Sequence, residues 1–387
     1  MTDLAVTRAR NAVAWAFVLN GLCFSTWVSR IPEARSAFDL SNGELGVLLL
    51  AITAGSIVAL PTSGAVIARK GARFVVRCGV SAAALGLLVV AVAMGESLPL
   101  MALGLATYGV GIGVWDVAMN SEGAAVERGL GRAVMPRFHA AFSLGTVVGA
   151  LGGAAALGAD LAATWHLGAV VLVSFVVVMR SAGAFLTTAS QEKGPVAAGA
   201  FSAWLEPRTL MIGVMVFALA LAEGTANDWL AVALVDGHGV SHAAGVAGFA
   251  LFVGAMTATR WFGVGLLDRY GRARVLWGTM AAAGAGVLLL VLGAHPALVV
   301  LGILLWGAGA SLGFPVGMSA ASDDPARAAV RLSVVSTIGY GSFLAGPPLL
   351  GFLADEIGTL NALSVVALAL VPAALAVPAA RQRSETR

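Results

Sequence analysis

The chain has 387 residues, 59% of them hydrophobic and only 11% charged, and its mean hydropathy is +0.91. A soluble domain carries about 25% charged residues, so this chain lacks the polar surface that soluble domains would need. The two cysteines, Cys23 and Cys78, lie in apolar segments and suggest neither a disulfide nor a metal site. No GxxxxGK(S/T) and no HExxH is present, which argues against ATP hydrolysis and zinc chemistry.

Apolar runs long enough to cross about 30 Å of hydrocarbon recur from end to end. They predict twelve membrane helices at 11–30, 43–67, 76–94, 98–120, 136–158, 165–186, 209–233, 243–266, 275–293, 297–318, 332–353 and 360–379. The first run has no small-residue cleavage site, so it is expected to stay as a helix and not to leave as a signal peptide; it ends near Trp27. After the second span comes "ARKGAR" (68–73), with Arg69, Gly71 and Arg73.

The fourth span contains "VGIGVWDVAMNSEG" (110–123), in which Trp115 and Asp116 interrupt a glycine-rich apolar run and Asn120 follows Asp116 by one helical turn. The glycines at 109, 111 and 113 imitate a nucleotide-binding loop, but inside a membrane helix they are expected to pack helices. His139 opens the fifth span, whose Gly145, Gly149 and Gly153 form a small-residue face. The polar stretch 188–208 reads as a cytoplasmic linker, dividing the chain into 1–187, 188–208 and 209–387.

Glu223 and Asn227 share a face of the seventh span, with Asp228 and Trp229 beside them. The stretch 235–242 reads as an outer loop, and its Asp236, His238 and His242 are not taken as a metal site. Arg260 falls within the eighth span, where it either snorkels to the inner surface, neutralises Glu223 or holds a substrate carboxylate. "DRYGRA" (268–273) follows, with Asp268, Arg269, Gly271 and Arg272. "AGPPLL" (345–350) is expected to kink the eleventh span.

Lys and Arg set the orientation. With the N-terminus inside, the outer loops hold only Arg30 and Arg35, and the basic loops and the tail, with Arg381, Arg383 and Arg387, are inside. Both termini are then cytoplasmic. The pI near 9.2 reflects this bias and not an affinity for nucleic acid.

The halves repeat at about 200 residues: Arg69 matches Arg269, Gly71 matches Gly271, Trp27 matches Trp229 and Met119 matches Met318. Two such six-span halves are the architecture of alternating-access carriers. The duplicated loops resemble the loop 2–3 signature of the major facilitator superfamily, except that Ala68 stands where its acid is usual. That resemblance implies an all-α membrane protein of twelve helices in two pseudo-symmetric six-helix bundles. It also implies a conformational latch at Arg69, Gly71, Arg73, Asp268, Arg269, Gly271 and Arg272.

Within the superfamily, "DVAMN" (116–120) followed by "FHAAFSLG" (138–145) resembles the fucose:proton symporter branch. Asp116, Asn120 and His139 take the places of its acid, its Asn and a sugar-contacting polar residue, while Val28 falls where that branch has a second acid. "AEGxxxDW" (222–229) is shared with related bacterial facilitators.

Ionisable groups inside a membrane span are functional candidates because they are costly there. Asp116 and Glu223 are the proton-coupling candidates. Asn120, His139, Asn227, Arg260, Trp27 and Trp115 are the substrate-binding candidates. The expected function is proton-coupled secondary transport of a small polar solute, sugar-like or another metabolite, across the cytoplasmic membrane. No enzyme activity and no cofactor is expected, and the chain is expected to work as a monomer in the lipid bilayer. Proton-driven efflux of a drug or amphipathic metabolite is the alternative, suggested by a likeness of the glycine face of the fifth span to drug antiporters. A transport-inactive receptor is a third.

Overall fold

The computed structural model describes residues 3–130, 134–186, 200–321, 323–324 and 327–381. Most of the expected linker, residues 188–199, lies outside them, as does the side chain of Ala68. All regular structure among the described residues is helical. We number the twelve long helices α1 Asp3–Val28, α2 Asn42–Lys70, α3 Ala72–Ala93, α4 Leu98–Leu130, α5 Met135–Gly158, α6 Ala163–Ser181, α7 Pro207–His238, α8 His242–Tyr270, α9 Arg272–Leu292, α10 Pro296–Ala321, α11 Ala328–Ile357 and α12 Thr359–Ala380. Ten of them are long and apolar enough to cross a membrane; α2 adds the apolar stretch Asn42–Ile57, and α11 makes the twelfth. Leu88, Val92, Leu288 and Leu292 are exposed, as lipid-facing residues should be.

The described residues form two compact units. The first lies within Met1–Glu192 together with Ser241–Ala247, and the second within Lys193–Val240 and Gly248–Arg387.

In the first unit, α2 starts on a capping box: the Ser41 hydroxyl accepts from the Glu44 N–H, and the Glu44 carboxylate accepts from the Ser41 N–H. A single residue, Gly71 at φ +81°, joins α2 to α3. Glycines then bring backbones together. A side-chain carbon at Gly109 would sit 2.0 Å from the Ile52 carbonyl oxygen, and one at Gly86 would sit 2.4 Å from the Tyr108 nitrogen. The glycine face of α5 packs on α1 in the same way, Gly145 against the Val18 carbonyl and Gly153 against Ser29.

The second unit repeats this skeleton. Gly271, at φ +75°, joins α8 to α9. A carbon at Gly307 would meet the Phe252 carbonyl oxygen at 2.3 Å, and one at Gly286 the Trp306 nitrogen at 2.4 Å.

Several helices outrun their expected ends. The fourth span, expected to stop at 120, continues to Leu130. Its polar residues read locally as a helix end, but tertiary bonds satisfy them. The Glu122 carboxylate accepts from the Leu186 N–H. The Glu127 carboxylate accepts from the Val134 and Met135 N–H groups at 2.7 and 2.8 Å, capping α5. Likewise α7 runs through His238, so the expected outer loop 235–242 shrinks to Gly239–Ser241. Asp236 there accepts from the Thr359 hydroxyl, and the His238 ring hydrogen-bonds the Leu290 carbonyl. The tenth span, expected to be continuous, breaks at Ser311 and Leu312.

Candidate functional site

In the first unit Asp116 lies near the middle of α4, not toward its inner end as the shorter expected span implied. It is half-buried. The Asn120 amide donates to its Oδ1 at 3.1 Å and to its backbone carbonyl at 2.9 Å, the contact their i,i+4 spacing allows. No cation bonds Asp116 among the described residues; Arg73 of the loop signature donates to the Phe185 carbonyl at 2.8 Å.

His139 is exposed on the first turns of α5 and sets its ring edge-on to Phe17, 5.3 Å between centroids. Trp27 and Trp115, candidates for stacking on a solute, are each 1% exposed. Gly79 lets α3 approach the Trp115 backbone. Both indoles are core residues in this structure and show no open face.

The second unit holds an ion pair drawn from three helices. Arg260 Nη2 of α8 donates to both carboxylate oxygens of Glu223 on α7, at 3.1 and 2.9 Å. Its Nε donates to the Ser311 carbonyl at 3.0 Å. That carbonyl lies at the break in α10, where backbone groups lose their helical partners; the Ser311 hydroxyl turns back to the Ala308 carbonyl. Arg260 therefore neither snorkels nor stands free. Asn227, one turn beyond Glu223, and Asp228 are half-buried, and neither makes a hydrogen bond or ion pair among the described residues.

At the loop signature, Arg69, Asp268 and Arg269 are exposed. The acid expected to tie the second signature, Asp268, has no partner among the described residues. Asp323 binds the signature arginine in its place. It accepts from Arg272 at 2.7 Å and from Arg208 at 2.7 Å. Burial pushes the Asp323 carboxyl up, but these two guanidinium groups outweigh it and hold it below the ordinary carboxylate range. Glu206 is similar: burial raises it, and Arg331, Thr209 and Arg327 together bring it below its ordinary value.

One polar cluster was not anticipated. Arg30, expected in an outer loop, is 1% exposed. It pairs with Glu33 and donates to His166 Nδ1 at 3.2 Å and to the Leu161 carbonyl at 2.8 Å. The Arg30/Glu33 spacing of three was the available signal; His166, 136 residues away, gave none.

Twelve long helices, a repeated glycine skeleton and charged groups held inside the spans define a polytopic helical membrane protein built from two similar halves. The chain belongs to the major facilitator superfamily, whose family model matches residues 13–347. It is 33% identical to an uncharacterized MFS-type transporter of Yersinia pestis, over 96% of this chain and 94% of that protein. It superposes on a mutant form of the nucleoside transporter NupG with a TM-score of 0.80 at 15% identity, covering 96% and 99% of the two chains. The fucose:proton symporter FucP of Escherichia coli superposes with a TM-score of 0.62 at 16% identity, covering 96% and 98%. The chain is a multi-pass membrane protein of a transporter family.

Proposed function

We propose that this protein couples the movement of a small polar, uncharged solute to that of protons across the cytoplasmic membrane, by alternating access and as a monomer. Asp116 takes up and releases the proton, and Asn120 orients its carboxyl. His139, Asn227 and the Glu223–Arg260 pair shape the solute site. The observation that carries this reading is Asp116 itself: a carboxyl halfway along a membrane helix, bonded by one amide and, among the described residues, by no cation. A group kept there at a cost has a use for its proton.

A neutral solute is favoured because Arg260 already spends Nη2 on Glu223 and Nε on a carbonyl. A carboxylate substrate would want that fork for itself. The names of the structural neighbours, a nucleoside transporter and a fucose:proton symporter, agree with a polar, hydroxyl-bearing solute. Uptake is preferred to efflux because the glycine face that suggested a drug antiporter has a packing role on α1 that accounts for it.

The uneven distribution of Lys and Arg between alternate loops supports cytoplasmic termini. The chain then divides into six-helix halves at the linker 188–208, and the latch rests on the signature arginines Arg73 and Arg272. The test is a thermal-stabilisation screen of sugars and nucleosides on purified protein, followed by flux of the best stabiliser into liposomes under an imposed pH gradient. Accumulation that ignores the gradient would refute coupling, and stabilisation confined to carboxylates would refute a neutral solute.

A further inference from the structure

We propose that Asp228 is the acid of the second unit that gains and loses a proton, and that Glu223, the more obvious candidate by sequence, is not. This rests on the reading of the protein as proton-coupled. Both Glu223 oxygens accept from Arg260, whose Nε is tied to Ser311. Removing the charge of Glu223 would leave a guanidinium in the span with no counter-charge, the costly way to break a partly buried pair. Glu223 is thus committed to a structural partner.

Asp228 lies on the same helix in a different condition. It is half-buried and makes no hydrogen bond and no ion pair among the described residues. The helices packed against α7 bring it no cation. Within α10, Pro296–Ala321, and α12, Thr359–Ala380, there is no charged residue. On α11 the charges are Arg331 near one end, bound to Glu206, and Asp355 and Glu356 at the other. On α7 itself Arg208 is held by Asp323 and Asp236 accepts from Thr359. The charged or titratable residues of α8 are His242, Arg260, Asp268, Arg269 and Tyr270, and of these Arg260 is taken by Glu223. A carboxyl so placed is compatible with the membrane chiefly in its neutral form.

A second observation points to a ligand at the same level. Thr225, one turn before Asp228, and Trp229, one residue after it, are 2% and 1% exposed. Thr225 Oγ1 and Trp229 Nε1 have no hydrogen-bond partner among the described residues. Buried polar atoms are normally satisfied, so the turn of α7 that carries Asp228 has unused hydrogen-bonding capacity, closed to solvent in this structure as Trp27 and Trp115 are. The chemistry it would take is a hydroxyl-bearing neutral group, with Asp228 as acceptor when ionised and donor when protonated.

The test needs no known solute. Infrared pH-difference spectra of the purified protein in detergent report protonated carboxyls through their C=O stretch. Asp228→Asn should remove one band of the wild-type spectrum, Asp228→Glu should move it without abolishing it, and Glu223→Gln should keep it. The Asp228→Glu variant guards against loss of the band by misfolding. A spectrum of Asp228→Asn that superposes on wild type, or loss of the same band in Glu223→Gln, would overturn the proposal. Asp116→Asn serves as the separate check on coupling in the first unit: its own band disappears if that reading holds and persists if it fails, whatever Asp228 does.

Discussion

The two units share a skeleton and differ in their charges. Gly71 and Gly271 make the same one-residue joint. Gly109 and Gly307 admit the same backbone approach, as do Gly86 and Gly286. These positions are fixed by space, and space is what a duplicated bundle inherits. The polar groups follow no such rule. Helix α4 runs unbroken past Asp116, whereas its counterpart α10 breaks at Ser311, and the carbonyl there takes a guanidinium. By the pairing of Gly109 with Gly307, the residue of α4 that matches Ser311 is Gly113, which packs near Ser56. Within the spans, Asp116 of the first unit meets no cation among the described residues, whereas the second unit holds both a paired acid, Glu223 with Arg260, and an unpaired one, Asp228. Packing is thus the conserved half of the repeat, and chemistry is the half that diverged.

The sharpest way to break this contrast is to remove the lone acid. Asp116→Asn should abolish accumulation driven by a pH gradient in liposomes yet leave counterflow exchange largely intact, since exchange moves no net proton. Accumulation equal to wild type would show that the first unit has no special role in coupling.

Next in size is the ion pair. Arg260→Ala strands Glu223 and frees the Ser311 carbonyl, and should lower thermal stability by about 1–3 kcal/mol, the cost of leaving a buried hydrogen-bonding group unsatisfied. Adding Glu223→Gln should restore part of the loss. A double variant less stable than the single one would mean that the two side chains act independently.

The shared skeleton predicts equality instead. Gly71→Ala and Gly271→Ala each force a side chain into a backbone region open essentially to glycine, at about 1–3 kcal/mol. Melting of the two variants should agree; a large difference would show that the joints are not equivalent.

The smallest effect concerns the charges around the loop signature of the second unit. The Asp323 carboxyl is held below its ordinary value, so the stability it lends is complete above about pH 4, the unfolded carboxyl's range. It is lost as pH falls through the depressed folded value. Asp323→Asn should cost about 0.2–1 kcal/mol at neutral pH, the scale of exposed pairs, and flatten the acid limb below pH about 4. Asp268→Asn, at an exposed acid with no partner, should change stability by less than about 0.5 kcal/mol. The reverse order would restore Asp268 as the acid of the latch.

Sequence patterns carried much of this. Apolar run length defined the spans, the repeated loop defined the family, and the i,i+4 spacing placed Asn120 on Asp116. Where local reading failed, a distant partner decided the outcome. A run such as "NSEGAAVERG" looks like the end of a helix until Leu186, Val134 and Met135 are seen donating to Glu122 and Glu127. The fate of Arg260 needed two other helices, and Arg30 was buried by His166 and Leu161 from the far end of its unit. Hydropathy also could not mark the break in α10, because Ser311 and Leu312 are ordinary membrane residues.

The cancelled charges of the second unit bear on electricity. A transmembrane potential does work of about 2.3 kcal/mol per elementary charge per 100 mV, and it acts on net charge moved. Glu223 and Arg260 travel as a pair with no net charge, so a shift of that site across the field costs nothing. Under the proposed proton coupling, the voltage acts through the carboxyls that carry the protons, Asp116 and Asp228. The current carried per solute is then a direct count of the acids in use, and Arg260 is what keeps Glu223 out of that count.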